Sequence, residues 1–175
     1  ARELASLGDY YINDAFSVSH RAHASVEAIT EFLPSAAGFL LEREIHQLSA
    51  ALHPQQPLVL LLGGSKVSDK VSLIEHYLHK AEKILIGGAM AFSFLKAKKL
   101  NVGMSKMDVS SVKEAEVLLK KAEKKIVLPI DIIVADKFSE KAIAKHVLVR
   151  NIPTNTVGLD IGPETAKNYA EIIKK

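Results

Sequence analysis

The sequence predicts the α/β fold class, with a Rossmann-like parallel sheet and helices on both of its faces. Residues 58–62 form a continuous apolar run, as expected of a central strand that is covered on both faces. A diglycine, Gly63 and Gly64, follows this run and precedes apolar positions that recur at helical spacing. The same order of strand, diglycine and helix returns at residues 84–95. Strand, helix and strand at this spacing favour neighbouring parallel strands joined by a right-handed crossover.

Composition and charge narrow the function classes for this chain of 175 residues. Hydrophobic residues make up 48% and charged residues 25%, which is typical of a globular protein, and the net charge is only +3. The lysines alternate with acids, so we expect no nucleic-acid partner. We expect no membrane association, because no apolar run reaches transmembrane length and the first residues do not resemble a signal peptide. The absence of cysteine excludes disulfides and thiolate chemistry and fits a cytoplasmic location.

The first third of the sequence predicts short elements followed by one long helix. Residues 1–9 favour a short helix and a turn, and residues 10–12 favour a brief strand. Residues 34–53 predict a single amphipathic helix that ends before Pro54, and the proline-rich residues after it mark a candidate domain boundary. The apolar stripe of this helix consists of Ala37, Leu40, Leu41, Ile45, Leu48 and Leu52.

Residues 17–25 place Arg21 between His20 and His23 among small side chains. Small neighbours leave these groups accessible, and an arginine suits a phosphate or carboxylate ligand. Two other interpretations stay open. The histidines could be zinc ligands, although no third ligand is nearby in the sequence, or the segment could have a structural role.

Lys66 and Lys70 follow the first diglycine at a spacing of four residues, where the sequence predicts the start of a helix. Like charges at this spacing cost roughly 0.2–0.5 kcal/mol, and a helix N-terminus favours anions over cations. A polyphosphate bound at free backbone N–H groups would reverse that cost, with both ammonium groups reaching over it. Alternatively, both lysines are solvated. The stretch does not fit the GxxxxGK[ST] pattern of a Walker A loop.

The remaining elements continue the alternation of helix and strand. We expect a helix at residues 111–124, a third strand at 126–135 and a short edge strand at 146–149. Pro129 and Asp131 interrupt the third strand, which indicates that it passes a ligand site or leaves the sheet. Residues 158–163 predict a third glycine turn before a last helix that has Pro163 in its first turn. Because ligands bind at the carboxyl ends of parallel strands, we expect this turn to converge with the two diglycines.

Five segments of the sequence, taken together, are more specific for a protein family than any one of them alone. They are Asn-Asp-Ala-Phe at 13–16 with His-Arg-Ala-His-Ala-Ser at 20–25, Leu-Gly-Gly-Ser-Lys-Val-Ser-Asp-Lys at 62–70, Ile-Gly-Gly-Ala-Met-Ala-Phe-Ser-Phe-Leu at 86–95, Leu-Pro-Ile-Asp at 128–131 with Ala-Asp-Lys-Phe at 135–138, and Gly-Leu-Asp-Ile-Gly-Pro at 158–163. In this order the set resembles the phosphoglycerate kinase family, and it covers nearly the whole chain.

The resemblance implies a two-domain hinge kinase of glycolysis and gluconeogenesis, a cytoplasmic monomer in its full-length form. It would transfer a phosphoryl group reversibly between 1,3-bisphosphoglycerate and ADP, giving 3-phosphoglycerate and ATP, with Mg²⁺ carried by the nucleotide. By matching motif positions, Arg21 would contact the glycerate substrate and take part in catalysis, and His20 would belong to the substrate-binding network. Lys66 would steady the transferred phosphoryl group, and Lys70 would bind nucleotide phosphates. The other nucleotide-binding residues would be Gly64, Gly87, Gly88, Phe138, Gly158 and Leu159.

The resemblance also divides the chain. Residues 1–33 would be the end of the substrate domain, residues 34–53 the interdomain helix, and residues 54–175 the first half of the nucleotide-binding domain. Members of the family are more than twice as long, and this chain begins with Ala1 instead of Met. We therefore expect a central piece of the enzyme that is inactive alone.

The sequence departs from the family pattern at two places. Residues 17–19 are Ser-Val-Ser where the family usually has Gly-Thr-Ala, and Lys106 replaces a leucine of the adenine pocket, so its aliphatic stem would have to cover the ring.

The main alternative is a non-catalytic nucleotide-binding module or one subunit of a split kinase. A dehydrogenase-like dinucleotide domain would need a GxGxxG turn, which neither diglycine offers.

Overall fold

The computed structural model describes residues 1–122 and 124–175. Contacts between residues divide the chain into two units, Ala1–Gln55 and Gln56–Lys175. Among the described residues, none of the helices combines the length and the apolar character that a membrane crossing requires.

The first unit contains a small parallel sheet and one long helix. After helix α1 (Arg2–Ala5), strand β1 (Tyr11–Asn13) pairs in parallel with strand β2 (Ser35–Ala37). Short 3₁₀ turns at Phe16–Val18 and Ala28–Glu31 lie in the connection between these strands. Helix α2 (Phe39–Leu52) follows directly.

The prediction of a single helix over residues 34–53 is wrong for the first turn of that helix. Ser35–Ala37 is extended because it pairs with β1, and α2 begins only after Gly38. One carboxylate oxygen of Asp14 accepts the N–H groups of Leu40 at 2.7 Å and Leu41 at 2.9 Å, which caps the helix at this later position. Of the predicted apolar stripe, Leu41 is buried, whereas Leu40, Ile45, Leu48 and Leu52 are 46–55% exposed.

The second unit begins with a parallel three-stranded sheet in the order β3, β4, β5. Its strands are β3 (Val59–Leu62), β4 (Lys83–Ile86) and β5 (Ile126–Val127), which confirms the predicted parallel pairing of the first two apolar runs. The helices α3 (Val71–Tyr77), α4 (Met90–Ala97) and α5 (Ser111–Ala122) connect them. Residue 123, part of the expected helix at 111–124, lies outside the described residues.

The expectation that the first apolar run is a central, doubly covered strand is wrong for the described part of the chain. There β3 lies at one edge of the sheet and β4 lies in the middle, with Ile84, Leu85 and Ile86 fully buried. Leu62 is buried against the helices, but Leu61 on the opposite face is 59% exposed. An apolar run therefore indicates that a strand can be buried on both faces. Whether the strand is buried depends on its position in the strand order.

The chain leaves the parallel sheet at Pro129, which confirms one of the two expectations for the interrupted third strand. Residues 126–135 form β5 and then β6 (Asp131–Ala135), the middle strand of a second, antiparallel sheet. Its edges are β7 (Ala144–Leu148), which matches the predicted edge strand, and β8 (Val157–Ile161).

Gly158 lies inside β8, opposite Val134, so the expected third glycine turn is wrong. The absence of a side chain serves packing at this position, because a Cβ atom would overlap the ring of Phe92 on α4. Helix α6 (Pro163–Lys174) follows β8 with Pro163 at its first turn, as predicted. Parallel strands joined by helices confirm the α/β class.

Candidate functional site

The two diglycines lie side by side at the carboxyl ends of β3 and β4. The parallel register places Leu62 opposite Ile86, so both turns begin at the same level of the sheet. Gly88 has a φ of +62°, and a Cβ atom there would lie only 2.9 Å from the backbone nitrogen of Gly64. The N–H of Met90, at the start of α4, donates to the carbonyl of Gly64 at 2.8 Å. Both diglycines therefore lie at the carboxyl ends of their strands, as predicted, and side chains are excluded from their contact.

The segment 65–70, here called the lysine loop, follows the first diglycine. Lys66 is exposed and precedes any helical turn, while Lys70 is half-buried and ends a 3₁₀ turn, Ser68–Lys70. The expectation that both lysines lie in the first turn of one helix is wrong, because α3 begins only at Val71. Val67 is fully buried in the core, and this anchor holds the intervening chain in the tighter turn.

A second segment, residues 103–111, borders the site from the side of α5. The hydroxyl of Ser105 accepts the N–H of Gly158 at 2.8 Å and donates to the carbonyl of Val102. The N–H of Ser68 in the lysine loop donates to the hydroxyl of Ser111 at 3.5 Å. This segment therefore contacts both β8 and the lysine loop, and the exposed Lys106 lies between those two contacts.

Asp108 is the acidic group of this segment. Its carboxylate accepts the hydroxyls of Ser110 at 2.7 Å and Ser111 at 3.1 Å. The pKa of Asp108 is lowered, chiefly by the bond from the Ser110 hydroxyl, with smaller contributions from Ser111 and from the positive charge of Lys66. Asp108 is thus held as a carboxylate beside the lysine loop.

Three of the predicted nucleotide-binding residues, Phe138, Gly158 and Leu159, lie in or beside the antiparallel sheet. Phe138 is 85% exposed and follows the end of β6, where β8 begins opposite Ala135. Gly158 is buried under Phe92 of α4, the helix that starts immediately after Gly88, and Leu159 is half-buried beside it. Helix α4 therefore links the glycine turns to this end of the second sheet.

Arg21, His20 and His23 belong to the first unit. All three are exposed in the turns after the 3₁₀ segment Phe16–Val18. The N–H of Arg21 donates to the carbonyl of Val18 at 3.0 Å, and the N–H of His23 donates to the carbonyl of Arg21 at 2.8 Å. These tight backbone bonds present the three side chains to solvent.

Asp131 is a buried carboxylate that accepts several hydrogen bonds. It accepts the N–H groups of Glu164 and Thr165, the Thr165 hydroxyl, and the Nε2–H of His146. Glu164, His146 and Asp131 place potential metal-ligating atoms within 4.8 Å of one another. Because four donors already occupy the oxygens of Asp131, the arrangement works as a cap for the N-terminus of α6.

A cavity of about 280 Å³ lies against the antiparallel sheet. Its lining does not include any of the predicted nucleotide-binding residues. The lining residues are Val134, Ala135, Asp136, Ile143, Lys145, Val147, Pro153, Asn155 and Thr156.

Sequence reasoning did not identify Ser105, Asp108 and Ser111 as residues of the site. Their hydrogen bonds connect the segment 103–111 to β8 and to the lysine loop. One signal for them is present in the sequence. Asp108 and Ser110 stand just before an amphipathic helical pattern that begins at Ser111, and Asp and Ser are typical of a helix N-cap. The contact of that cap with the lysine loop depends on residues that are 43 positions apart and is not visible in the pattern.

Comparisons with known proteins find, over the whole chain, the family that the five sequence segments resemble. A family model described as phosphoglycerate kinase matches residues 1–175. The phosphoglycerate kinase of Synechococcus elongatus is 49% identical over 178 residues, which cover 99% of this chain and 44% of that protein. That of Nautilia profundicola is 48% identical over 180 residues, with coverages of 99% and 45%.

Two solved structures are similar to the chain over 98% of its length. Phosphoglycerate kinase from Coxiella burnetii aligns with a TM-score of 0.77 and 38% identity, and that from Pyrococcus horikoshii aligns with a TM-score of 0.82 and 30% identity. In each case the chain covers 45% of the solved protein. The chain therefore spans less than half the length of the relatives that it matches, in agreement with the expectation of a fragment.

Proposed function

The chain belongs to the phosphoglycerate kinase family, and we propose that it supplies the nucleotide-phosphate site of such a kinase. The observation that supports this most directly is the contact between the two glycine turns, with the lysine loop following the first of them at the carboxyl edge of the parallel sheet. Ligands of open α/β sheets bind at this edge. Backbone without side chains, flanked by two ammonium groups, suits the phosphates of ADP or ATP.

In the proposed mechanism the protein positions the phosphates and neutralises charge. Phosphoryl transfer spreads negative charge over the transferred group, so preorganised cations stabilise its transition state. Lys66, exposed on the loop, would contact the transferred phosphoryl group. Lys70 would bind the nucleotide phosphates, and Mg²⁺ would arrive as part of the nucleotide substrate. Gly64, Gly87, Gly88, Phe138, Gly158 and Leu159 would complete the nucleotide site.

The first unit would contribute substrate contacts to the longer enzyme. Arg21 presents an exposed guanidinium that can bind a carboxylate or a phosphate in a bidentate manner, and His20 lies next to it. We propose that they bind 3-phosphoglycerate or 1,3-bisphosphoglycerate. The domain limits proposed are residues 1–33 for the end of the substrate domain, 34–53 for the interdomain segment that contains helix α2, and 54–175 for the first half of the nucleotide-binding domain. The longer enzyme would act as a cytoplasmic, hinge-bending monomer.

A second candidate is a nucleotide-binding subunit of a split kinase. In that case a second polypeptide would supply the part of the relatives' length that this chain does not cover. Co-purification of a chain that matches the remaining part of the relatives would support this candidate.

The test is a calorimetric titration of the 175-residue chain with Mg-ADP, compared with Lys70→Ala. We expect binding to weaken at least about tenfold, because the variant loses a charge-assisted phosphate contact. Lys174→Ala, at the exposed end of α6, is the matched control for the loss of one positive charge. Unchanged affinity in Lys70→Ala would exclude the assigned role of Lys70. A folded chain that does not bind Mg-ADP would exclude a functional nucleotide site within these residues.

A further inference from the structure

Asp108 lies at a junction of three elements of the second unit. Its carboxylate accepts the hydroxyls of Ser110 and Ser111 at the start of α5, and its carbonyl accepts the N–H of Ser111 at 3.2 Å. The same carbonyl accepts the hydroxyl of Ser93 on α4 at 3.5 Å. The third element is the lysine loop, which Ser111 contacts through the N–H of Ser68.

The hydroxyls of Ser93 and Ser111 make this junction rigid. Both residues are fully buried, and buried hydroxyls are costly unless they are hydrogen-bonded. Ser111 donates to Asp108 and accepts from Ser68, so one buried oxygen connects the carboxylate to the backbone of the lysine loop. A displacement of Asp108 would leave that oxygen without its acceptor and would loosen the loop.

The charge of Asp108 acts on the same loop. Lys66 is an exposed residue of this loop, and its positive charge contributes to the lowering of the pKa of Asp108. The attraction is mutual, so the carboxylate also restrains a long side chain that would otherwise sample many rotamers. Restraint of a cation before ligand binding lowers the entropy that is lost when the ligand binds.

We propose that Asp108 is a positioning residue for phosphate binding, which orients Lys66 by its charge and fixes the lysine loop through the hydroxyl of Ser111. Asp108 acts through Lys66 and Ser68 and does not touch the ligand. The inference rests on the proposed function to the extent that Lys66 is assigned a phosphate contact.

A simpler role for Asp108 is to cap α5 alone. Asp108→Asn separates the two roles, because the amide keeps the shape and an acceptor for Ser110 but carries no charge. If Asp108 only caps the helix, the variant loses stability, and any loss of ligand affinity is the same whether or not Lys66 is present. If Asp108 positions Lys66, the loss of affinity depends on Lys66.

The first experiment is a double-mutant cycle with Asp108→Asn and Lys66→Met in the 175-residue chain, with Mg-ADP as the titrated ligand. We expect Asp108→Asn to weaken binding about threefold to tenfold in the wild-type background and by a smaller factor in the Lys66→Met background, where only the effect of Ser111 on the loop remains. Glu171→Gln, an exposed acid on α6, controls for the change in net charge. Additive losses, or an unchanged affinity in Asp108→Asn, would overturn the inference.

The second experiment needs no ligand and is a carboxyl ¹³C NMR titration of Asp108. We expect the pKa of Asp108 to rise in Lys66→Met and to stay unchanged in Lys70→Met, because only Lys66 is coupled to this carboxylate. A pKa that does not respond to Lys66→Met would overturn the inference. If the wild-type chain does not bind Mg-ADP, the proposed function fails, and this titration alone then decides whether Asp108 and Lys66 are coupled.

Discussion

Gly88 determines whether the two glycine turns can touch. Its positive φ is unfavourable for residues with a side chain, and an added Cβ atom would lie 2.9 Å from the nitrogen and 3.1 Å from the oxygen of Gly64. We predict that Gly88→Ala lowers the free energy of unfolding by about 2–4 kcal/mol and weakens Mg-ADP binding, because the backbones must separate.

Urea denaturation followed by circular dichroism measures the effect. Gly63→Ala is the matched control from the same pair of turns. Its nearest neighbour atom would lie 3.9 Å from the new Cβ, in ordinary contact, and its φ is not positive. Equal stability losses in the two variants would contradict the steric explanation.

Asp131 gives the second unit a predictable acid sensitivity. Burial would raise the pKa of this carboxyl, but the bonds from Thr165, Glu164 and His146 outweigh burial and lower it below the ordinary 3.8. The unfolded chain then binds more protons in this range, so the stabilisation is present above about pH 4 and is lost as the pH falls through the folded pKa.

We predict that Asp131→Asn removes this part of the pH dependence and lowers stability by about 1–3 kcal/mol at neutral pH, since an amide cannot accept from all four donors. Urea denaturation at a series of pH values between about 2 and 7 tests both effects. Asp160→Asn, an exposed position on β8, is the control. The assigned role would be contradicted if the stability of Asp131→Asn decreased at low pH in the same way as that of the wild type.

At the scale of elements, Tyr169 attaches helix α6 to the parallel sheet. Its buried hydroxyl contacts the carbonyls of Ile86 at 2.8 Å and Val127 at 3.0 Å, which are the last residues of β4 and β5. Burial strongly raises the pKa of this hydroxyl, so it remains a donor throughout the range in which the protein is folded. The contact lies directly before the second diglycine.

We predict that Tyr169→Phe destabilises the second unit by about 1–2 kcal/mol, because the carbonyls of Ile86 and Val127 lose the one donor that they share while the ring packing is kept. Hydrogen exchange at the amides of Gly87 and Gly88 should accelerate. Lys167→Ala, exposed on the same helix, should change neither measurement. Wild-type stability in Tyr169→Phe would show that the hydroxyl bridges contribute nothing.

At the scale of the whole molecule, the length of the chain limits its activity. The relatives that carry the name phosphoglycerate kinase are more than twice as long as the region that matches. We predict that the isolated 175-residue chain binds Mg-ADP without transferring a phosphoryl group, because substrate contacts of the longer enzyme are expected from the remaining part. A coupled assay for ATP formation from 1,3-bisphosphoglycerate tests this, and measurable turnover would contradict it.

The order of five motif segments indicated the family. Sequence patterns alone predicted the α/β class, the parallel pairing of β3 with β4 and the glycine turns at their ends. These features follow from local patterns, since apolar periodicity and glycine placement report the environment of each segment directly. The three-dimensional structure was needed to show that β3 lies at an edge, that residues 126–135 divide between two sheets, that Gly158 packs inside a strand and that Asp108 is connected to the lysine loop. Each of these depends on which distant residues pair, and pairing between distant residues is not a property of local periodicity.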